Sequence, residues 1–410
     1  MNTLNLLLSL LCVSSICFYC YAIYAARCFI DNQQSINKIY QPLITILKPI
    51  CGLDTNTYDN LASFCRQDYP YYQIIFSFRD EKDPAIPIVK QIINDFPERD
   101  IELIQCDRII GTNLKISNLA NAVTVAKHDI LVLADSDIRV GSDYLQRIIQ
   151  PFQNEEVGVV TCLYRSIPQG WTTLIEAVSQ TTEFNAGVLV GNHIEGGIKY
   201  AFGATIAIRK QVLTAIGEFE AVADYLADDF QLGNLPFKAG YKVKLSDYIV
   251  EHELKETTLA DVIKQKIRWA RCIRVSRSWG YLGLIFTYGI VFSLILLIIT
   301  SGSQSAWIMV ALTWTMRLIM AWIVGVDFTQ DQTTKKYFWM IPLCDLFGFM
   351  IWCCGFLGST VEWRGQKFKL SKDGQLIPIV NQIQVISQTS FFRRLIRMVG
   401  IAHLTDTRDF

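Results

Sequence analysis

A short apolar run that ends in two aspartates constrains this chain more than any other feature of its sequence. Residues 130–134 read Ile-Leu-Val-Leu-Ala and are followed at once by Asp135, Ser136 and Asp137. An uninterrupted apolar run of this length predicts a strand that is buried on both faces of a parallel sheet. The two carboxylates would then lie at the carboxyl edge of that sheet, where α/β proteins bind ligands. Two hard oxygen ligands suit a divalent cation whose coordination shell is completed by phosphate oxygens. Asp-Ser-Asp equally favours a turn or a helix cap.

Apolar segments of membrane length place the chain at a bilayer. Hydrophobic residues make up 51% of its 410 residues, and 38 Lys and Arg balance 38 Asp and Glu, so charge indicates no nucleic-acid partner. Residues 4–30 hold a single charge, Arg27, and exceed the about 20 residues that cross a hydrocarbon core. We predict a transmembrane anchor over 1–30 instead of a cleaved signal peptide, because the stretch lacks an initial basic region.

Three further apolar runs follow toward the carboxyl terminus. Residues 281–300 and 306–326 are separated by the polar residues 301–305, which predicts a membrane hairpin. The third run, 337–357, carries Asp345, so it either spans the membrane with a partner for that charge or re-enters it. An anchor and three spans would place the basic tail outside the cytosol, so one run is expected to be re-entrant or interfacial.

Strand-like and helix-like patterns alternate between the two apolar regions, which predicts one α/β domain with a mostly parallel sheet over 31–279. The predicted strands are 43–47, 73–78, 101–105, 130–134, 157–161, 204–208 and 241–245. The predicted helices are 58–66, 86–95, 115–127, 144–152, 174–190 and 210–216. Membrane segments are then expected over 280–358 and a basic carboxy-terminal tail over 359–410.

Cysteine usage indicates a reducing compartment. The sequence has 12 cysteines; several lie inside apolar runs, and the others are scattered through the α/β region without the spacing of zinc ligands. Cys17 and Cys20 fit a redox C-x-x-C pattern, but inside an apolar span they indicate packing. Arg27, just after the anchor, agrees with a cytosolic location under the positive-inside tendency. We therefore expect a multi-pass membrane protein whose α/β domain lies on the cytoplasmic side.

Three other charged groups are candidates for chemistry. Asp80 follows the predicted strand 73–78, so it reaches the same sheet edge as Asp135, or it simply belongs to a solvated loop. Asp228 and Asp229 open an amphipathic stretch, where Asp229 is placed to take a proton from a hydroxyl, or where both provide favourable charge at a helix start.

A basic and aromatic helical pattern over 265–274 lies just before the membrane hairpin. It suits an interfacial helix that rests on lipid headgroups. It equally suits a helix that closes over a diphosphate, with the Arg268 guanidinium on phosphate oxygens and the Trp269 ring against a sugar or a lipid.

In this order, the motifs resemble those of inverting glycosyltransferases of the processive type with a GT-A fold. More narrowly, the chain is similar to the ceramide glucosyltransferase group and its bacterial relatives, including hopanoid glycosyltransferases. The family pattern is an early Asp, Asp-x-Asp, a third acidic site and Gln-x-x-Arg-Trp, ahead of membrane spans. The matching segments of this chain are 48–52, 67–70, 83–86, 115–119, 135–140, 265–269 and 363–365.

The resemblance implies a role for each matching residue. Asp80 would contact the uridine of a UDP-sugar, Asp135 and Asp137 would hold Mg²⁺ or Mn²⁺ on the diphosphate, and Asp229 would be the general base. Two further donor-binding positions would be Lys115 and Asn118. The acceptor and diphosphate channel would be lined by Asp228, Gln265, Arg268 and Trp269.

Two departures from the family and two histidines qualify these roles. Asp137 stands where many eukaryotic ceramide enzymes have a neutral residue, and Asp228 stands where they have Glu. The first departure favours metal binding here but weakens the ceramide assignment. His252 follows the strand-like stretch 247–250 and is a candidate third metal ligand, although a lone histidine is more often structural. The resemblance transfers no role to His193.

The sequence thus predicts a hexosyltransferase that moves glucose or N-acetylglucosamine from a UDP-sugar to the hydroxyl of a membrane lipid, with inversion. A ceramide, a hopanoid and a diacylglycerol all fit as acceptor. A processive polysaccharide synthase shares the motifs but needs a membrane channel, for which the predicted spans leave little room. A membrane-anchored nucleotide-binding scaffold without activity is the alternative outside the enzymes.

Overall fold

A mixed eight-stranded sheet forms the centre of the computed structural model, which describes residues 3–32, 35–363 and 365–379. The strands are β1 (Ile44–Pro49), β2 (Tyr72–Phe78), β3 (Asp100–Gln105), β4 (Ile130–Leu133), β5 (Ile138–Arg139), β6 (Val157–Ile167), β7 (Ile206–Arg209) and β8 (Lys242–Glu253). Their order across the sheet is β3-β2-β1-β4-β7-β6-β8-β5.

The central strand β4 is buried on both of its faces, as its uninterrupted apolar run predicts. Leu131 and Leu133 belong to the hydrophobic core on one side of the sheet, whereas Ile130, Val132 and Ala134 belong to the core on the other. Because side chains alternate between the faces of a strand, only a strand covered by helices on both sides needs apolar residues at every position.

The direction of one strand was not predicted. The pairs β1–β2, β2–β3, β1–β4 and β6–β8 are parallel, but β7 lies between β4 and β6 and is antiparallel to both. A strand buried on both faces has the same apolar pattern whichever way it runs, so burial does not report its direction. The short strand β5 was also missed; it pairs antiparallel with the end of β8.

Helices cover both faces of the sheet and continue into the membrane-length segments. They are α1 (Thr3–Asp31), α2 (Thr57–Ser63), α3 (Ile86–Asp95), α4 (Leu114–Ala122), α5 (Tyr144–Ile148), α6 (Leu174–Ser179), α7 (Asn185–Ile194), α8 (Lys210–Ala215), α9 (Asp228–Lys238), α10 (Leu259–Ser276), α11 (Ser278–Gly283), α12 (Gly289–Ile299), α13 (Gln304–Ala321), α14 (Gln332–Lys336) and α15 (Ile341–Gly355). Single π-helical turns at Gln180–Phe184 and Trp322–Phe328 join α6 to α7 and extend α13.

By length and composition, three helices in the described part of the chain are able to cross a membrane: Thr3–Asp31, Gln304–Phe328 and Phe338–Gly355. A fourth candidate is the pair Ser278–Thr287 and Gly289–Ile299, which is bent by 55° at its break. The bent pair contains most of the apolar run 281–300, so the first arm of the predicted hairpin is broken. It is the segment whose shape fits the expected re-entrant or interfacial run.

The break in the bent pair is held by the amino-terminal helix. The Tyr19 hydroxyl donates to the carbonyl oxygen of Thr287 at 2.7 Å and accepts the N–H of Gly289 at 3.0 Å. Backbone groups freed at a helix break must find partners when water is excluded, and this one hydroxyl serves two of them. A Cβ on Gly289 would lie 2.6 Å from the Ser15 Cβ, so the close approach of α1 requires glycine there.

A buried ion pair ties α13 and α15 to the α/β domain. Arg317 Nη2 lies 2.7 Å from Asp345 Oδ1, and both side chains are almost fully buried. The same guanidinium donates to the carbonyl oxygen of Thr182, in the π-helical turn between α6 and α7, at 3.3 Å. Asp345, the charge that made the run 337–357 ambiguous, therefore has its partner inside the protein, as a charge within an apolar segment requires.

A small antiparallel sheet follows the last membrane-length helix, in a region that was predicted only as a basic tail. Its strands are β9 (Thr360–Trp363), β10 (Gln366–Leu370) and β11 (Leu376–Pro378). The rest of the predicted tail, 380–410, lies outside the described residues.

Candidate active site

The carboxyl end of β4 carries an ion-paired cluster. Lys115, in the first turn of α4, places its Nζ 2.6 Å from Asp135 Oδ1 and 3.5 Å from Asp228 Oδ2. Asn113 caps the same helix and donates from its Nδ2 to Asp228 Oδ1 at 3.1 Å. The start of α4, the end of β4 and the start of α9 therefore meet at one point, although the three segments lie far apart in the sequence.

Gly203 marks the point where the cluster reaches Asp229. The Asp229 Oδ2 accepts the N–H of Gly203 at 3.0 Å. A Cβ on that glycine would lie 3.1 Å from Asp135 Oδ2, 3.3 Å from Lys115 Nζ and 3.6 Å from Asp229 Oδ2. Two of the predicted donor-binding residues and the predicted base therefore converge on a backbone position that has no side chain of its own.

Burial and neighbouring charges set the protonation of this cluster. Burial, followed by the Asp228 carboxylate, raises the pKa of Asp229 to about 6. Burial also raises the pKa of Asp135, and the Lys115 ammonium opposes that shift. For Lys115 the balance is reversed, because the carboxylates of Asp135 and Asp228 outweigh burial and raise its pKa. The lysine is a fixed positive charge, whereas Asp229 is ionised at neutral pH and still basic enough to accept a proton.

Asp137 faces His252 instead of Lys115. Its Oδ2 lies 3.4 Å from His252 Nε2, in β8, and the His252 Nδ1 lies 3.3 Å from Ser166 Oγ. Although burial disfavours both charges, the nearby imidazole lowers the pKa of Asp137, and that carboxylate raises the pKa of His252. The Tyr164 ring packs edge-on against the imidazole, with ring centroids 5.6 Å apart. The histidine that the sequence offered as a weak candidate is therefore in contact with the Asp-x-Asp motif.

Lys48, the first residue of the matching segment 48–52, is a site residue for which the sequence predicted no role. It lies in β1, has no exposed surface, and donates from its Nζ to the carbonyl oxygen of Asp135 at 2.5 Å. Burial lowers its pKa to about 7, against the pull of the Asp137 and Asp135 carboxylates. A lysine inside an otherwise apolar strand is costly to bury. Its position in such a strand was the sequence feature that could have indicated a functional role for Lys48.

The predicted uridine-binding aspartate lies on a different part of the same edge. Asp80 is exposed, and its Oδ1 accepts the N–H of Lys82 at 2.9 Å. Asp83, three residues on, is buried, and its carboxylate accepts the N–H groups of Gly52 and Ala85 at 2.8 and 2.9 Å. Asp83 thus joins the loops after β1 and β2, while the role predicted for Asp80 stays a prediction.

Asn118, the second predicted donor-binding residue of α4, is buried below Lys115. Its Nδ2 donates to the carbonyl oxygen of Ile50 at 3.4 Å. Its Oδ1 is buried without a hydrogen-bond partner among the described residues. An unpaired buried acceptor is costly, so this oxygen is available to a ligand donor.

The helix that carries Gln265, Arg268 and Trp269 is α10, and all three side chains are half-buried. Burial and then the Asp229 carboxylate raise the pKa of the Cys272 thiol to about 12, while Arg268 acts in the opposite direction. Cys272 of α10 therefore lies within electrostatic range of the predicted base. The channel-lining role of α10 remains a prediction.

The sequence matches one known protein family over most of its length. A family model described as Glycosyl transferase family 21 matches residues 7–376. The chain belongs to this family. It is a glycosyltransferase, as its resemblance to the ceramide glucosyltransferase group predicted.

Two relatives and one solved structure are similar to this chain. Ceramide glucosyltransferase 1 of Caenorhabditis elegans is 25% identical over 392 residues, 90% of this chain and 79% of that protein. A ceramide glucosyltransferase of Gibberella zeae is 34% identical over 138 residues, 31% of this chain and 26% of that protein. A mannosyltransferase from Pyrobaculum calidifontis, solved with GDP-Man and Mn²⁺, matches 86% of this chain and 99% of its own with a TM-score of 0.52 at 13% identity. The last likeness confirms the predicted GT-A fold.

The family 21 domain of this protein also uses its carboxy-terminal sheet to hold the segment before Asp229. The N–H of Leu376 donates to the carbonyl oxygen of Asp224 at 2.8 Å, and Tyr225 forms a bridge with Gln375. Leu226 packs into the core of that sheet against Phe368. The loop that leads into α9 is therefore fixed by residues more than 130 positions later in the chain, a contact that local patterns do not report.

Two arginines of α10 donate to backbone carbonyls at the end of the last membrane-length helix. Arg271 Nη2 donates to the carbonyl oxygen of Leu357 at 2.6 Å, and Arg274 Nη1 and Nη2 donate to those of Phe356 and Gly358 at 3.1 and 2.8 Å. The last carbonyls of a helix lack intrahelical partners and carry partial negative charge. These guanidiniums cap the end of α15, so they tie α10 to the last membrane-length helix.

Proposed function

We propose that this protein transfers glucose or N-acetylglucosamine from a UDP-sugar to the hydroxyl of a membrane lipid, with inversion at the anomeric carbon. The observation that carries the proposal is the convergence of Asp135, Lys115 and Asp229 around Gly203. It brings a carboxylate for a donor-bound cation, a positive charge for phosphate and a candidate base into one cleft.

Asp135 and Asp137 are the residues that would hold a divalent cation, Mg²⁺ or Mn²⁺. Their side chains are 36% and 32% exposed, so both carboxylates are open to a ligand. The described ranges contain no group of three His, Cys, Asp or Glu side chains that is ready to bind a metal, so the remaining ligands would be diphosphate oxygens. The mannosyltransferase of similar fold was solved with Mn²⁺ and a nucleotide sugar, which supports this assignment. When bound, the cation stabilises the negative charge of the leaving diphosphate.

Asp229 is proposed as the general base. Its carboxylate is held by the N–H groups of Gly203 and Phe230, at 3.0 and 2.8 Å, so it has a fixed orientation. A pKa of about 6 leaves it ionised at neutral pH and able to take the proton of an acceptor hydroxyl. The acceptor oxygen then attacks the anomeric carbon from the face opposite the diphosphate, and a single displacement of this kind inverts an α-linked donor to a β-linked product.

A lipid acceptor is supported by two independent features. The chain contains three helices of membrane length, or four if the bent pair counts as one span. Its relatives in Caenorhabditis elegans and Gibberella zeae are named ceramide glucosyltransferases. We propose that the catalytic domain lies on the cytoplasmic side of the membrane, where Arg27 follows the first span.

The test is direct transfer by the purified protein. Detergent-solubilised protein is incubated with Mn²⁺, a labelled UDP-sugar and short-chain ceramide, and the glycolipid is identified by mass spectrometry and by the anomeric coupling constant in NMR. A β-linked product supports the proposal. An α-linked product contradicts inversion, and absence of transfer from both UDP-glucose and UDP-N-acetylglucosamine to ceramide, hopanoid polyol and diacylglycerol contradicts the lipid acceptor.

A further inference from the structure

A tight turn connects β4 to β5 and carries the Asp-Ser-Asp motif. The N–H of Ile138 donates back to the carbonyl oxygen of Asp135 at 3.3 Å, which closes the turn. A carbonyl oxygen has two lone pairs, and this one also accepts from Lys48 Nζ, at 2.5 Å. The buried amine of β1 is therefore attached to the main chain of the motif, at a residue proposed to hold the cation.

The middle residue of the turn is held by the segment that follows β1. Ser136 Oγ donates to Asp54 Oδ2 at 2.5 Å. The backbone of Asp54 is fixed by Thr57, whose Oγ1 accepts the Asp54 N–H at 2.9 Å and donates to the Asp54 carbonyl oxygen at 2.8 Å. Thr57 is itself buried at the start of α2. Lys48 and Asp54 therefore reach the same turn through two independent hydrogen bonds.

The far end of the turn is held by β8. The N–H of Glu253 donates to the carbonyl oxygen of Asp137 at 2.9 Å, and the buried Glu253 carboxylate lies 2.6 Å from Arg139 Nη2, in β5. With β8 at one end and the β1 segment at the other, the backbone between the two carboxylates is held from both sides. Metal ligands must be positioned to within about 0.5 Å by the groups behind them, so this backbone decides whether Asp135 and Asp137 reach one cation.

Lys48 lies where an apolar side chain would be favoured by stability alone. The residue has no exposed surface, and its Nζ lies 3.8 Å from the centre of the Phe64 ring, which is also fully buried. Removing an amine from water costs free energy, which an apolar side chain of similar length would avoid. Local conflicts of this kind are expected at functional sites. The position therefore indicates that Lys48 contributes to function and not to stability.

We propose that Lys48 and Asp54 are positioning residues of the cation-binding turn. Lys48 holds the main chain of Asp135 and Asp54 holds the hydroxyl of Ser136, so that the carboxylates of Asp135 and Asp137 face one divalent cation on the donor diphosphate. Neither positioning residue binds the cation itself. This inference rests on the proposed function and deepens it, because it names the residues that set the affinity for the metal-bound donor.

The first test separates positioning from stability at Lys48. The full-length wild type and K48M, in detergent, are titrated with UDP by calorimetry at several Mn²⁺ concentrations, and their melting temperatures are measured without metal or nucleotide. Methionine fills the space of the lysine and leaves Ile138 as a partner of the Asp135 carbonyl. The Mn²⁺ concentration for half-maximal UDP binding should rise about tenfold, as when groups that support metal ligands are lost. The melting temperature should stay constant or rise, because no amine remains buried.

The second test asks whether Asp54 acts through Ser136. Asparagine keeps an oxygen that accepts from the hydroxyl, so D54N should bind Mn²⁺ and UDP nearly as the wild type does, whereas D54A should require more Mn²⁺. S136A removes the same contact, so the double variant D54A/S136A should be no weaker than D54A alone. D59A is the matched control, because Asp59 is an exposed carboxylate of the neighbouring helix α2, and it should behave as the wild type.

Several outcomes would overturn the inference. A lower melting temperature of K48M with an unchanged need for Mn²⁺ would show that Lys48 is only structural. Equal losses in D54N and D54A would show that the Asp54 carboxylate binds the cation itself, and a double variant weaker than D54A would show that Asp54 and Ser136 act separately. Failure of the proposed function is distinct, because UDP binding by the wild type would then not depend on Mn²⁺, before any variant is compared.

Discussion

The carboxylate of Asp229 accepts the backbone N–H of Gly203 at 3.0 Å, on the same glycine that borders Asp135 and Lys115. A proton acceptor is thus anchored to the backbone beside the groups proposed to bind the donor. This contact orients the carboxylate without neutralising it.

Replacement of Asp229 with Asn should abolish turnover while donor binding is retained. The amide keeps the size of the side chain but cannot take a proton, so kcat should fall about 10²- to 10⁴-fold. UDP binding, measured by calorimetry in the presence of Mn²⁺, should stay within a few-fold of the wild type. Retained turnover in the purified variant would remove Asp229 as the base.

The activity should depend on pH through the same carboxyl group. Its pKa is raised to about 6, so the fraction in the basic form falls as the pH drops through that value. We expect kcat/KM to be constant near neutral pH and to fall about tenfold per pH unit well below pH 6. A raised carboxyl pKa lowers the free energy of unfolding only at pH values where the group is ionised. The loss of activity at acidic pH should therefore occur without unfolding, and circular dichroism at each pH would verify this. An activity that is unchanged down to pH 4.5 would contradict the assignment.

Removal of the metal should prevent donor binding, and Asp135 should be required for its recovery. Excess EDTA is expected to abolish UDP binding, and Mn²⁺ to restore it in the wild type. In Asp135→Asn the Mn²⁺-dependent affinity should fall by at least about tenfold, since even residues that only support metal ligands cost about 10- to 100-fold. A variant with wild-type Mn²⁺ titration would show that this carboxylate holds no cation.

A methyl group on Gly203 should damage the site while leaving the fold intact. The new Cβ would stand 3.1 Å from Asp135 Oδ2 and 3.3 Å from Lys115 Nζ, so both groups must move. A misplacement of about 1 Å in an active site costs about 10²-fold in rate, so these smaller shifts should give a measurable but smaller loss. Gly187→Ala is the matched control, because its Cβ would meet nothing within 4 Å. Equal activity of the two variants would show that the region around Gly203 does not take part.

Breaking the buried ion pair should destabilise the membrane-length helices. Asp345→Ala leaves Arg317 buried without its partner, which typically costs about 3–5 kcal/mol, and a lower melting temperature in detergent is expected. Replacing both residues with leucine should recover most of that loss, because no charge then remains buried. If the double variant were less stable than Asp345→Ala, the pair would contribute more than its own desolvation cost.

The carboxy-terminal sheet should be needed for activity because it fixes the loop before Asp229. Phe368 is 4% exposed and shares a core with Leu226, whereas Ile377 of the same sheet is 50% exposed. Phe368→Ala should lower both kcat and the melting temperature, since truncating a buried Phe costs about 3–5 kcal/mol. Ile377→Ala should leave both unchanged. A Phe368→Ala variant with full activity would separate this sheet from the site.

Much of the fold follows from local patterns of the sequence. The run 130–134 predicted a doubly buried strand because helices on both faces leave no position for a polar side chain, and β4 is such a strand. The apolar runs predicted the membrane-length helices because only segments of that length and composition cross a bilayer. The ordered acidic motifs predicted the family, because each motif is a short stretch of sequence. The site itself is formed by segments that lie far apart in the chain.

Tertiary structure alone decided which of these groups meet and how. The antiparallel direction of β7 brings Gly203 to the edge of the sheet where Asp135 lies. The sequence did not predict this, because the pattern of buried residues is the same for both strand directions. Tyr19 satisfies a helix break some 270 residues away, and Phe368 supports the loop before Asp229. Such contacts depend on the register and packing of segments that are distant in the chain. A short stretch of sequence does not contain the residues that determine the free energy of these contacts.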